Sequence, residues 1–177
     1  MRGNGRILIV DDEPLIRKSL YESLRMEGYE AEMASDGEEA LRMIKQTPID
    51  LVIADIKMPK LSGLDLLKEV KTNHSDIPVL LITGYGTIDQ AVEAMRLGAA
   101  DYITKPIMEG EIQIVIKKLF EQKNLIEENI ALRQQLALTV RDRFHRLVGR
   151  DEKMQRIYTL VETISQTKAT ILFKGES

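Results

Sequence analysis

Along the first hundred residues, short runs of aliphatic and β-branched side chains alternate with stretches whose apolar positions recur every three or four residues. The runs RILIV (6–10), YEAEM (29–33), DLVIA (50–54), PVLLI (78–82) and DYIT (101–104) predict five strands. Between the first two, Ile16, Leu20 and Leu24 recur at intervals of four. Pro14 suits a first helical position there, and Gly28 suits a left-handed stop. Ser62 with Asp65, and Thr87 with Gln90, have the spacing of capping boxes, and Gly98 ends the helix that Thr87 begins. Strands separated by helices pair in parallel through crossovers, so the pattern predicts an α/β fold of three layers around a five-stranded parallel sheet.

After Pro106 the pattern changes to a single helical stretch from about Met108 to Thr139, with no proline and only Gly110 near its start. At 1.5 Å per residue it spans roughly 50 Å, more than one small domain can cover. Gln122, Leu125, Asn129, Leu132 and Leu136 fit one heptad seam, and Leu119, Ile126 and Val140 fit another. The expectation is a homodimeric coiled coil, with a lone linker helix held against its own domain as the alternative. Further on, Met154, Ile157, Val161 and Ile164 predict an amphipathic helix, and ATILF (169–173) reads as a strand before the closing KGES. One helix and one strand do not enclose a core, so this last part is read as the edge of a larger domain. The resulting division is residues 1–122, a helical linker at 123–143, and a truncated segment at 144–177.

Composition narrows the class. The chain has 177 residues, of which 44% are hydrophobic, enough for one domain and a remainder. No apolar run approaches the ~20 residues needed to cross a bilayer, and MRGNGR lacks the apolar segment of a secretory signal, so a cytoplasmic protein without membrane contact is expected. The absence of cysteine excludes disulfides and thiolate metal sites. His74 and His145 are too far apart in sequence to form a local ligand pair. Residues 1–108 carry 13 Lys and Arg against 18 Asp and Glu, whereas residues 109–177 carry 12 against 10. The basic run RDRFHRLVGR (141–150) is read as helix-terminal cations at a solvated joint, with no nucleic acid contact expected.

The candidate chemistry lies at the strand ends. In an open parallel sheet, ligands sit at the carboxyl ends of the strands, near the point where the winding reverses. The first strand delivers Asp11 and Asp12, the third Asp55, the fourth Thr83, and the fifth leads through Thr104 to Lys105. Three carboxylates, a hydroxyl and an ammonium therefore converge from four segments. Carboxylates packed so closely need a proton, a cation or a basic side chain to neutralise them. Hard oxygen ligands without sulfur or imidazole favour Mg²⁺, with Mn²⁺ possible, and such an ion is the expected neutraliser. Asp55 would then act as a nucleophile that accepts a phosphoryl group, while Lys105 pairs with a phosphoryl oxygen and Thr83 donates a hydrogen bond.

In this combination the chain resembles the receiver domains of two-component response regulators, over about residues 5–125. The motifs are DDE after the first strand, DIKMP at 55–59, LITGYG at 81–86 and ADYITKP at 100–106. The resemblance implies a flavodoxin-like, doubly wound sheet of order 2-1-3-4-5. Asp55 is then the phosphoacceptor for a histidine kinase. Magnesium is held by Asp12, Asp55 and the backbone carbonyl of Lys57, with Asp11 contributing chiefly through water. A cis bond joins Lys105 to Pro106, Thr83 and Tyr102 form a switch, and Lys57 and Tyr85 tune the lifetime of the phosphoryl group. The segment from Leu147 to Ser177, with VGRDEKMQ and GES, resembles the start of the AAA+ ATPase domain in nitrogen-regulator-type activators of sigma-54 RNA polymerase. The phosphate loop stops before its Lys, so no ATP-binding or other cofactor site and no enzyme is expected within this chain; the ATPase domain of the parent protein and sigma-54 RNA polymerase are indirect partners. Two other readings are possible. One is a constitutive dimerisation module with an idle acidic crevice, against which the complete residue set argues. The other is a hydrolase with an aspartyl intermediate, which needs an acid where Lys57 stands.

Overall fold

The computed structural model describes residues 5–84, 86–108, 110–143 and 151–165, leaving aside the side chains of residues 135–143, 162 and 165. Five strands form one parallel sheet: β1 (Arg6–Val10), β2 (Glu30–Ala34), β3 (Leu51–Asp55), β4 (Val79–Thr83) and β5 (Asp101–Thr104). Their spatial order is β2-β1-β3-β4-β5, the expected doubly wound order. The intervening helices are α1 (Pro14–Met26), α2 (Gly37–Gln46), α3 (Gly63–Asn73) and α4 (Ile88–Arg96). They are followed by α5 (Glu111–Arg143) and α6 (Glu152–Ser165).

Alternation along the strands places the core on both faces of the sheet. Leu8, Val10, Val52, Ala54 and Leu81 pack with Ala40, Ile44, Leu66, Leu67, Val70 and Ala94 of α2, α3 and α4. Their neighbours Ile7, Ile9, Leu51, Ile53, Leu80 and Ile82 turn the other way, onto Leu20 and Leu24 of α1 and Ile112, Ile116 and Leu119 of α5. A sheet covered on both sides has no polar face, which is why β1, β3 and β4 read as continuous apolar runs.

The helix signals act as expected. Pro14 opens α1, and Gly28 and Gly98 follow α1 and α4 with φ of 86° and 91°, values that suit glycine far better than other residues. Ser62 Oγ accepts from the N–H of Asp65, and Thr87 Oγ1 from that of Gln90. Neither is a reciprocal box, because Asp65 takes its return bond from Ser62 Oγ and Gln90 Oε1 has no partner.

Strands β2, β3 and β4 each begin and end one residue later than the sequence predicts. Tyr29 instead closes the α1 stop by donating to the Leu24 carbonyl, and Pro78 has no N–H for a ladder. At the other end, pairing runs on to Asp55 with Ile82 and Thr83 with Thr104, so two of the expected site residues are themselves strand residues.

Two compact units divide the chain, Met1–Lys123 and Asn124–Ser177. The 33-residue α5 starts later than expected, at Glu111, because Gly110 adopts φ 90° just before it, and it continues to Arg143. Leu119 is buried in the sheet core of the first unit and so is not free to start a pairing seam, whereas Ile126 of the same expected seam is 62% exposed. Leu125 and Leu132 of the other seam are 65% and 51% exposed, while Leu136 and Val140 lie outside the described side chains. In the second unit, Tyr158 of α6 is buried, with Met154, Val161 and Ile164 half-buried, and Ile157 is exposed. Residues 166–177 and 144–150, which carry the expected ATILF strand, KGES and His145, lie outside the described residues. His74 ends α3, donating its N–H to the Val70 carbonyl. Among the described residues no helix is long and apolar enough to cross a membrane.

Candidate functional site

The chain runs from β1 outward to β2, then returns to the other side of β1 with β3, so the winding reverses between β1 and β3. Asp11 follows β1 and Asp55 ends β3, which places them on the two lips of the crevice that this reversal leaves open. Ladder bonds continued beyond the strands hold the lips in place. The N–H of Asp11 reaches the Ala34 carbonyl, that of Ile56 the Ile82 carbonyl, and that of Lys105 the Thr83 carbonyl. The Lys105–Pro106 bond is cis.

Lys105 brings the crevice together. Its Nζ donates to Asp11 Oδ2 at 2.9 Å and to Asp55 Oδ2 at 2.6 Å, and stands 3.7 Å from Glu13 Oε1. The second oxygen of each carboxylate is also held, Asp11 Oδ1 by the N–H of Glu13 at 2.8 Å and Asp55 Oδ1 by that of Lys57 at 3.2 Å. Asp11, Asp55 and Thr83 are buried, whereas Asp12 is exposed at the rim.

One ammonium thus serves two buried acids. Burial lowers the tendency of Lys105 to stay charged, but bonds to Asp55 and Asp11 outweigh it, so its pKa lies above the ordinary lysine value. Asp11 has only a share of that charge. Burial therefore pushes its carboxyl above the usual range, against the pull of Lys105 and of the Glu13 N–H. In this arrangement a basic side chain, one of the neutralisers that crowded carboxylates require, supplies charge to both acids.

The donor set nonetheless fits a hard cation. One oxygen each from Asp11, Asp12 and Asp55 lie within 4.8 Å of one another, with no nitrogen or sulfur ligand among them. Asp12, being exposed, gives such an ion access from solvent.

The remaining expected residues surround this centre. Thr83 is fully buried at the end of β4. Tyr102 is half-buried against the α2–α3–α4 core, with its hydroxyl oxygen buried and lacking a hydrogen-bond partner among the described residues. Lys57 is exposed, and Tyr85 lies outside the described residues.

Sequence reasoning missed several supporting residues. Arg17 of α1 donates to the Asp11 backbone carbonyl. Gly63 starts α3 so close to β3 that a Cβ there would collide with the Asp55 carbonyl oxygen, and its N–H donates to the Ile56 carbonyl at 3.0 Å. A groove of about 800 Å³ opens beside Lys105, lined by Leu15, Ile16, Leu20, Pro106, Ile107 and Met108 among others. Leu15 of that groove is 84% exposed, and no sequence pattern marked it.

This geometry has counterparts among known proteins. The response regulator receiver domain family matches residues 7–117. Over 177 residues the chain is 32% identical to the regulatory protein AtoC of Escherichia coli strain K12, covering 100% of this chain and 38% of that protein. The crystal structure of the response regulator protein TrrA from Thermotoga maritima, in complex with Mg(2+)-BeF, is 40% identical with a TM-score of 0.60. It covers 65% of this chain and 98% of that one. NtrX from Brucella abortus, crystallised in complex with ATP, is 34% identical with a TM-score of 0.70, covering 92% of this chain and 35% of its own. The chain spans less than two fifths of the length of the curated relatives it matches.

Proposed function

The chain belongs to the response regulator receiver domain family, and on that footing we propose that it accepts a phosphoryl group on Asp55 from a histidine kinase and passes the resulting change on through α5. The observation that carries this reading is the Lys105 ammonium bridging Asp11 and Asp55 at 2.9 and 2.6 Å in a buried crevice. A structural ion pair needs one acid. Here two acids and one base converge, with a third acid, Asp12, within ligand distance and open to solvent.

Both oxygens of Asp55 are oriented before any donor arrives, one by Lys105 and the other by the Lys57 N–H. A carboxylate so held is positioned for attack on phosphorus with little further ordering. Mg²⁺ or Mn²⁺ held by Asp11, Asp12, Asp55 and the carbonyl of Lys57 would screen the incoming phosphoryl oxygens from the carboxylates. As an Asp55 oxygen bonds to phosphorus and the P–N bond to the kinase's phosphohistidine breaks, releasing its imidazole, the phosphoryl oxygens compete for the Lys105 ammonium, and Thr83 at the neighbouring strand end offers a hydroxyl to them. Withdrawal of Thr83 toward the site gives the Tyr102 ring behind it a reason to move, and the response spreads along the face made by α4, β5 and α5.

The chain is in this reading a phosphoacceptor in its own modification and not a turnover enzyme, and it works in the cytoplasm. Exposed Leu125 and Leu132 on α5 support pairing of two copies. The tail's resemblance to the start of a AAA+ domain supports control of an ATPase in a sigma-54-dependent activator, with sigma-54 RNA polymerase reached only indirectly. The alternative, a constitutive dimerisation module, also uses those leucines but leaves the crevice idle.

Incubation with acetyl phosphate and Mg²⁺, followed by intact-mass measurement, separates the two. An acid-labile adduct of one phosphoryl group is expected on the wild-type chain, absent from Asp55→Asn and prevented by a chelator. An adduct that persists in Asp55→Asn, or none at all, overturns the proposal.

A further inference from the structure

The loop between β4 and α4 passes over Tyr102 at Gly86. Space is the constraint. A Cβ at this position would stand 2.9 Å from Tyr102 Oη, 2.9 Å from Thr104 Cγ2 and 3.2 Å from Thr83 Cγ2. Of these neighbours Tyr102 and Thr83 are the two residues of the proposed switch. The clash with Tyr102 falls on the far end of its side chain, which can swing away by rotation about χ1, whereas Thr83 is held fully buried in β4.

A second observation concerns the Tyr102 hydroxyl itself. Tyr102 Oη and Gln90 Oε1 are both buried without a hydrogen-bond partner among the described residues, one on β5 and one in the first turn of α4. Native interiors rarely leave such groups unpaired. The inward Tyr102 ring is therefore held by packing against the α2–α3–α4 core and not by its hydroxyl. Little opposes its departure once its space is taken.

We infer that Gly86 is a positioning residue for the phosphorylation response: the lack of a side chain there admits the Tyr102 ring beneath the β4–α4 loop, and a Cβ would expel it while leaving the Asp55 crevice intact. The inference rests on the switch reading above, but concerns a different step. Phosphoryl acceptance needs Asp55, Lys105 and the acidic cluster, none of which is among the three atoms nearest a Cβ at Gly86; Thr83 is, but it meets that Cβ with its methyl group, and its hydroxyl turns to the phosphoryl group only once that group has joined. Transmission to α4 needs the ring to have two places, and Gly86 sets whether the inner one exists.

The test uses the full chain labelled with 3-fluorotyrosine, whose five tyrosines give separate ¹⁹F signals, with that of Tyr102 assigned by Tyr102→Phe. In Gly86→Ala without any phosphodonor, the Tyr102 signal should move to a solvent-exposed shift. Addition of Mg²⁺ and beryllofluoride should then leave it there, while acetyl phosphate still yields the acid-labile adduct. A Tyr102 signal at the wild-type shift overturns the inference. Failure of the wild-type chain itself to form the adduct would instead overturn the phosphoacceptor reading, so the two failures are distinct.

Thermal unfolding covers the case in which Gly86→Ala is unstable. Since the hydroxyl is one of the two atoms the Cβ meets at 2.9 Å, Tyr102→Phe should recover part of the lost midpoint, and Thr104→Ser, added to it, the remainder. If Gly86→Ala costs as much in the Tyr102→Phe chain as in the wild type, the Cβ does not act through the ring, and the inference is wrong.

Discussion

At the scale of single residues, Lys105 decides how the acidic crevice is tolerated. With 14% of its side chain exposed, between Asp11 at 3% and Asp55 at 8%, its ammonium is largely withdrawn from water together with its partners. Replacement by Gln leaves two neighbouring buried carboxylates without a counter-charge, at a cost of about 3 kcal/mol near neutral pH. Lowering the pH protonates the acid whose folded pKa is already raised, Asp11, so the loss should shrink as the solution is acidified. Urea unfolding of Lys105→Gln and wild type across that range checks both size and sign. Asp36 behaves in the opposite way. The Lys60 ammonium at 2.5 Å and the Glu39 N–H hold its carboxyl below the ordinary range. The stability it contributes is therefore complete above the usual carboxylate pKa and lost as pH falls through the lowered folded value. Asp36→Asn retains a good N-cap for α2 but removes the charge, so its acid limb of stability against pH should be flatter than that of the wild type. The residue types at the strand ends were legible in sequence because acids, a hydroxyl and an ammonium stand where each apolar run stops. That Lys105 would meet the crevice acids was legible from the strand ends; the Asp36–Lys60 pairing was not, since it depends on how two loops lie in space.

At the scale of elements, the first turns of α5 are fastened to the sheet by two contacts of different kinds. Phe120 stacks on Tyr29 with ring centroids 5.5 Å apart, and Lys123 Nζ donates to Asp50 Oδ1 at 2.6 Å. Burial raises the Asp50 carboxyl, but the Lys123 ammonium and the N–H of Arg6 outweigh it and leave it below its ordinary pKa. The two contacts should differ in worth. Lys123→Ala loses an ion pair whose Asp50 side is 41% exposed, worth less than about 1 kcal/mol. Phe120→Ala also removes a half-buried ring and should cost about 2 to 3 kcal/mol. Denaturant midpoints of the two variants check the order, and equal losses would show that the ion pair is the main fastener. Helix starts and stops were legible wherever a cap or a Gly announced them, as at Ser62, Thr87, Gly28 and Gly98. Strand boundaries slipped by one residue at β2, β3 and β4, because periodicity marks apolar runs while the ladder is set by which N–H groups find carbonyls. Asp55 and Thr83 therefore counted as loop residues in the sequence although pairing holds them in the strands.

At the scale of the whole molecule, two stripes of exposed apolar side chains among the described residues each offer a surface to a second copy. Ile88, Val92 and Met95, at 84%, 46% and 51% exposure, follow one face of α4, whereas Leu125 and Leu132 lie seven residues apart on α5. Sequence could indicate a pairing helix but not its register, since Leu119 matches a heptad as well as Leu125 does; only the sheet packing removes Leu119 from contention. With Leu119 committed to the core, the Leu125–Leu132 seam remains, and the α4 stripe is its competitor. Sedimentation of the full chain distinguishes them. Wild type should be dimeric, and Leu125→Asp combined with Leu132→Asp should yield monomers, because aspartates facing each other across a helix pair repel and have no core to occupy in the single chain. Val92→Asp should leave the dimer intact in the unmodified state. Monomers from Val92→Asp, with dimers from the double leucine variant, would transfer the pairing surface to α4 and leave α5 as a helix that acts within one copy. The groove beside Lys105 should remain neutral in this measurement. Leu15 of that groove is 84% exposed, so Leu15→Ser should slow phosphotransfer from a histidine kinase, while acetyl phosphate, which brings no protein surface, reacts at the wild-type rate.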